Sequence, residues 1–483
     1  MLVPEKARRL ALAFLALWVF ALGVLRILSF GFLPPDDVLR HSAYAVGHRT
    51  WGQILIGRPE ALFDQAPGWH ALLRGLHGLF GWGPEALATF SIAFCLMVFL
   101  ASGLLWVRRW ETWVLALALC FLCDGDLILR MALGRPFVLT SALLVILMGS
   151  LRSELSWRSQ ALLWGLGAAL ATWVHGSWYL LFLLPLSVFL VGRFKAAMRL
   201  ALMVALGCLV GAALTGHPVA YLEGQCGHLV HALGRKAYPG SLAMEFMPGH
   251  QTLLLPLLVL VVAGLDWRKH GLRFLRDPLL LLGLLTWVLG FFCVWRFYLD
   301  WAFPALALWV ALRLDENTDP LWIGLRRYGW AGVTAVLFLV GVGMNRHGRW
   351  SENGRINGLS PDRPMEKAFL PRPGGVLYSN SMFVFYGTYF QNPNGDWKYV
   401  LGFEPGLMKE EDDRVYQESF RTQDWDQALA PWVGRMTSRD RMVLLGPPQA
   451  PPAVQGLAWV FVAPNKWVGL KPTPPAVPAR PAT

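Results

Sequence analysis

Charge is what this sequence has least of. Only 15% of its 483 residues are Asp, Glu, Lys or Arg, against about 25% in a typical soluble domain. So little charge excludes an ordinary water-soluble globule of this length. Basic runs are missing too. The formal net charge is +12, yet no run or stripe of Lys and Arg carries it, which argues against nucleic acid as a partner. Cysteine is scarce: Cys95, Cys120, Cys123, Cys208, Cys226 and Cys293 are the six, and none follows Met344. A disulfide framework in the C-terminal third is thereby excluded. Cys120 and Cys123 form a C-x-x-C inside an apolar run with no second pair. They read as small core residues rather than a zinc site.

What replaces the charge is apolar surface, 55% of residues, together with 24 tryptophans of the kind that gather at membrane interfaces. Apolar stretches suited to spans fall at 10–33, 87–107, 110–123, 137–151, 161–174, 177–191, 200–214, 252–265, 279–294, 302–312 and 328–344, eleven in all. The stretch 161–191 read as one helix would be about 47 Å long, well beyond a hydrocarbon core of about 30 Å. Two short helices meeting at His175-Gly176-Ser177 fit better. Lys6, Arg8 and Arg9 precede the first stretch, which reads as a signal anchor that stays in place with its N-terminus in the cytoplasm. With eleven spans, every concentrated basic loop then falls on the same side: Arg108-Arg109, Arg152 with Arg158, Arg193 with Lys195 and Arg199, Arg268 to Arg276, and Arg326-Arg327. The expected architecture is an all-α polytopic membrane domain over 1–344, whose first outer loop is 34–86. A small extracytoplasmic α/β domain follows over 345–471, then a Pro- and Ala-rich tail, 472–483, expected to be disordered. Strands are expected at 375–378, 398–402, 441–446 and 458–462, and helices at 408–420 and 425–433.

Polar residues near the outer face are the candidates for chemistry. Asp36 and Asp37 follow Pro34-Pro35 at the end of the first span. As a pair they suit a general base, and as helix starters they suit a cap and a first-turn acid. Pro67 opens an amphipathic helix, with Leu72, Leu73, Leu76, Leu79 and Phe80 on one face and His70, Arg74 and His77 on the other. Such a helix lies in the membrane interface. Asp124-Gly125-Asp126 places two carboxylates one residue apart, able to share Mg²⁺ or Mn²⁺ or to pair with Arg130 and Arg135. His175 and Arg296 belong to the same face, Arg296 as a phosphate fork or as an interface anchor. His228, His231, Arg235 and Lys236 make a basic patch in the long outer loop 215–251.

Together these residues resemble the C-type membrane glycosyltransferases, the superfamily of protein O-mannosyltransferases, aminoarabinose transferases and oligosaccharyltransferases. Pro35-Asp36-Asp37, with Arg40 and Tyr44 behind it, is similar to that family's P-D-E motif after the first span, with Asp37 where Glu is usual. The stretch from Pro67 to Leu79-Phe80-Gly81 is similar to its interfacial helix, although Ala66-Pro67-Gly68 replaces the paired prolines. Asp124-Gly125-Asp126 stands where oligosaccharyltransferases keep a second acidic, metal-associated motif, and Tyr399 to Pro405 resembles the extracytoplasmic domain of bacterial relatives. No W-W-D-Y-G acceptor motif is present, so peptide N-glycosylation is not implied.

The resemblance implies inverting transfer from a polyprenyl-phosphate-linked sugar, outside the cytoplasm, to a glycan, lipid or protein acceptor. Asp36 would be the base and Asp37 the second choice. Arg130, Arg135, Arg296 and His175 would face the donor phosphate, with Asp124 and Asp126 as metal ligands. Two other readings fit the sequence. A glycan polymerase or ligase would use His228 and Arg235 in the 215–251 loop, and a lipid or solute transporter would need no catalytic group at all.

Overall fold

The computed structural model describes residues 5–59, 62–234, 248–249, 253–317, 325–422 and 424–472. It is mostly helical, with one small sheet. Two compact units divide it: the first draws on Met1–Val38, Asp64–Leu229 and Met244–Asn353, the second on Leu39–Phe63, Val230–Ala243 and Gly354–Thr483. Arg235, Lys236 and the 473–483 tail lie outside the described residues, as do the side chains of His228 and His231.

The first unit is a helical bundle built on apolar packing. Phe303–Asn317 is its most enclosed helix, with every side chain from Phe303 to Leu312 buried. A helix that is apolar all round belongs inside such a bundle. Elsewhere small residues set the packing distance. Trp157–Val174 lies against Phe194–Ala213, where a Cβ on Gly207 would meet the Gly165 carbonyl at 2.3 Å and one on Gly211 would meet that of Ala169 at 2.4 Å. Glycines four apart bring two backbones together in this way in membrane helices. The outer side of Phe194–Ala213 exposes Met198, Leu202, Leu206, Leu209 and Val210, a stripe that suits lipid rather than water.

Among the described residues, two helices are long and apolar enough to cross a membrane, Pro84–Leu105 and Phe194–Ala213. A third is added if Trp110–Cys123 and Gly125–Met131, bent by 114° at Asp124, count as one span. Phe137–Ser150, Trp178–Leu190 and Pro278–Phe292 are apolar but shorter, as is the Phe14–Leu28 part of helix Glu5–Leu28. Among the described residues, the eleven apolar stretches are thus not all matched by helices of spanning length.

The break within 161–191 falls where the sequence places it. Trp157–Val174 stops at His175, whose backbone is extended, and Trp178–Leu190 begins just beyond. Pro67–Phe80 needs a correction. Leu72, Leu79 and Phe80 are exposed, as an interfacial helix requires, but Leu73 is buried beside Trp69. His70, expected on the wet face, is buried as well, with Nδ1 2.7 Å from Asp64 Oδ1.

The second unit holds a five-stranded mixed sheet. In chain order its strands are β1 (Gly375–Tyr378), β2 (Trp397–Tyr399), β3 (Arg441–Leu445), β4 (Ala458–Val462) and β5 (Lys466–Leu470), in spatial order β2-β1-β3-β5-β4. β1 runs parallel to both neighbours, while β5 is antiparallel to β3 and β4. Edge strand β4 alternates between exposed and covered residues; β3 and β5 are buried almost throughout. Helix Glu410–Arg421 carries four acids in its first turn, favourable at a helix N-terminus. Helix Trp425–Arg435 is capped by Asp424, whose side chain accepts the Gln427 N–H. Both helices pack Val415, Tyr416, Leu429 and Trp432 against Met442 and Leu444 of β3.

Part of the 34–86 stretch, Leu39–Phe63, belongs to this unit. Ile56 N–H donates to the Tyr399 carbonyl and Arg58 N–H to that of Leu407. Arg40 lies 3.9 Å over the Phe403 ring, and Tyr44 stacks on Trp51 at 4.4 Å. Arg40 and Tyr44 are therefore packing residues of the second unit.

Candidate functional site

Charge in the helical unit collects at the two ends of its apolar helices. Phe137–Ser150 separates Arg135 from Arg152, Pro278–Phe292 separates Arg296 from Asp277, and Phe303–Asn317 separates Asp300 from Asp315. At 1.5 Å per residue, each of these 14- or 15-residue helices holds its two ends about 21–23 Å apart. Most of the expected site residues stand at one end.

Asp36 precedes helix Asp37–Val46, and Asp37 is the acid of its first turn. Asp36 Oδ1 accepts the N–H of Asp37 itself, so part of the capping expectation holds. The same oxygen accepts Arg135 Nε at 2.7 Å, and Arg135 also pairs with Asp37 at 3.6 Å. All three side chains keep some exposure, 15% for Asp36, 19% for Asp37 and 12% for Arg135. This is what a base that must meet a substrate needs. Glu352 stands near enough for its carboxyl to be pushed up from the usual range, by burial first and then by the charge of Asp36.

Arg130 is placed differently. Its Nε and Nη2 donate to the two oxygens of Asp300 at 2.8 and 3.0 Å. The fork is fully engaged, with side-chain exposures of 4% and 8%, and its face lies 4.1 Å over Phe137. Arg130 therefore holds Asp300 and does not present an open fork to a donor. Arg296 reaches Asp300 from one helical turn away at 3.4 Å and is the more exposed arginine, at 23%. Asp300 is the residue the sequence reading missed. It sits in a π-helical turn, Tyr298–Ala302, just ahead of a buried helix. Such turns often mark functional positions.

His175 faces the same group. Its pKa is pushed down to about 3, by burial first and then by Arg296, against the pull of Asp300 and Asp37. Both effects favour the neutral imidazole. As a phosphate ligand it would offer a hydrogen bond and no charge.

Asp124 forms the break between Trp110–Cys123 and Gly125–Met131. Its extended backbone ends the first helix, and its Oδ1 caps the second by accepting the Asp126 N–H at 2.9 Å. Its Oδ2 accepts Tyr298 Oη at 2.7 Å, which ties this break to the Asp300 turn. The arginine beside the pair is Arg349, donating to the Gly125 carbonyl at 3.0 Å, rather than Arg130 or Arg135. Both Asp124 oxygens thus already serve the fold. Among the described residues no group of three or more His, Cys, Asp or Glu gathers as a metal would require. A divalent cation at Asp124 and Asp126 would have no third His, Cys, Asp or Glu ligand among the described residues.

The arrangement can orient a carboxylate, receive a proton and offer guanidinium to an anion, all at one end of an apolar bundle. No protein-family model and no curated protein matches this chain.

Proposed function

We propose that the protein is a multi-spanning membrane glycosyltransferase that moves a sugar from a polyprenyl-phosphate donor to an acceptor hydroxyl, with Asp36 as general base. The observation that carries this reading is the Asp36–Asp37 pair, partly exposed and oriented by Arg135. It lies among guanidinium groups at one end of an apolar helical unit. In the proposed step the acceptor O–H gives its proton to Asp36. The acceptor oxygen bonds the anomeric carbon, and the bond from that carbon to the phosphate oxygen breaks. The phosphate leaves with the electron pair, and Arg296 faces its charge. Arg130 and Asp300 hold Arg296 in place, and Arg135 fixes the rotamer of the base.

The same reading takes the shorter apolar helices as additional spans, eleven in all, and sets this end outside the cytoplasm. A span below full length is accommodated by local thinning of the bilayer and by packing against neighbouring helices. Gly207 and Gly211, in van der Waals contact with the neighbouring backbone, support membrane packing of this kind.

The test is transfer by full-length protein in liposomes carrying a polyprenyl-phosphate sugar. Asp36→Asn keeps the size and the hydrogen-bond acceptor but cannot take a proton, so transfer should fall roughly 10²–10⁴-fold with folding unchanged. Asp37→Asn should be milder. Equal activity of Asp36→Asn and wild type would overturn the assignment. A large loss at Asp37 alone would move the base by one residue.

A further inference from the structure

The opposite end of the helical unit carries a second charged group of different character. A cavity of about 240 Å³ opens there among five arginines, Arg152, Arg193, Arg273, Arg276 and Arg313, with Asp277 as its one lining carboxylate. They come from four separate segments that the apolar helices bring together. Asp277 is buried, accepts the Leu279 N–H at 3.0 Å as a helix cap, and pairs with Arg152 and Arg313. Glu316 pairs with the same two arginines, and Asp266 approaches Arg313 at 3.5 Å. Those carboxylates balance Arg152 and Arg313 alone. Arg193, Arg273 and Arg276 are exposed, and their side chains have no ion pair or hydrogen bond among the described residues. The cavity therefore has a balanced floor and an uncompensated cationic rim.

The rim is also apolar in alternation. Segment Gly271–Arg276 exposes Leu272 just before Arg273 and Leu275 just before Arg276, and Phe189, Leu190 and Phe194 are exposed around Arg193. Arginine forks match phosphate oxygens. Leucine and phenylalanine beside them suit acyl chains at the headgroup boundary, where basic pockets between membrane helices hold acidic lipids.

We propose that this cavity binds a phosphate-bearing anion, and that in the membrane the anion is the headgroup of an acidic phospholipid. The site is separate from the transfer site at the other end and stands whether or not that reaction is correct.

The test is native mass spectrometry of full-length protein in detergent, titrated with phosphatidylglycerol, phosphatidylcholine or inorganic pyrophosphate. Wild type should retain phosphatidylglycerol and release phosphatidylcholine. Arg273→Gln with Arg276→Gln should weaken that retention on the order of tenfold. Arg158→Gln with Arg268→Gln removes equal charge outside the cavity and should leave retention unchanged. If the first pair fails to fold, Arg193→Gln, on another segment, tests the same rim. Pyrophosphate that displaces the lipid places both in the cavity. Pyrophosphate bound with no lipid retained supports the phosphate site and assigns it to a free ligand. Retention of phosphatidylglycerol by the cavity variants at the wild-type level, or equal retention of phosphatidylcholine, overturns the proposal.

Discussion

The two charged ends of the helical unit use the same residue types to opposite effect. At the Asp36 end, arginines are matched to carboxylates: Arg130 to Asp300 in a buried bidentate pair, Arg135 to Asp36 and Asp37. At the Asp277 end, arginines outnumber carboxylates around the cavity, and three of the five are exposed without a partner among the described residues. A matched set orients its members and resists rearrangement, whereas an unmatched set is open to an anion from outside. Spacing explains how one bundle carries both. Helices of 14 or 15 residues keep the ends about 21–23 Å apart, beyond the Debye length of about 8–10 Å that screens exposed charges from one another.

The comparison breaks most visibly at the buried pair. Removing Asp300 leaves Arg130 as an uncompensated charge in a dry site, so Asp300→Ala should cost about 3–5 kcal/mol of stability, and Arg130→Ala should cost less because Arg296 still reaches Asp300. Arg313→Ala, at the opposite end, should cost less. Arg313 shares Asp277 with Arg152, and Glu316 is 36% exposed and open to water. Thermal unfolding of the three purified variants checks this, and equal losses at both ends would erase the contrast.

A smaller effect sharpens it. The carboxyl of Glu352 is raised in the folded protein by burial and by Asp36, so the folded state favours its protonated form. Its contribution is fully present below the unfolded-state carboxylate pKa and is lost as pH rises through the folded value. Glu352→Gln should therefore gain stability relative to wild type as pH rises through the carboxylate range. A stability difference that stays flat between acid and neutral pH would remove Asp36 as a neighbour that matters to Glu352.

Much of this was legible in the sequence, and the limits have physical causes. Strands β1 and β4 fall where short apolar runs are bounded by turn residues. β5 was missed because Lys466 and Gly469 interrupt its apolar run. Only its pairing on both sides, and the buried Lys466–Glu366 ion pair at 3.1 Å, make it a strand. No element was expected at Met382–Gln391. It is rich in aromatic residues that favour strands, yet it folds as a helix with Val384 to Phe390 buried. The apolar stretches mark helices closely, 110–123 on Trp110–Cys123 and 137–151 on Phe137–Ser150, but an apolar run alone does not say that its helix is long enough to span.

At the site, Pro34-Pro35-Asp36-Asp37 announces its acids locally, and Arg135 proved to be their partner. Asp300 is paired with Arg130 across 170 positions of sequence, a separation that no local pattern encodes. Its one local sign is an arginine four residues earlier, one helical turn away, at the start of an apolar run. A carboxylate in such a place is costly unless it is held or used.

The account rests on the two charged ends standing at opposite faces of a membrane. Single cysteines test that directly, introduced into a variant whose six native cysteines are replaced. Ser351→Cys is exposed beside Glu352, and Ser159→Cys is exposed on the helix that follows Arg152. An impermeant thiol reagent added to intact cells should label Ser351→Cys at once and Ser159→Cys only after the membrane is opened. Labelling of both from the same side would contradict the account.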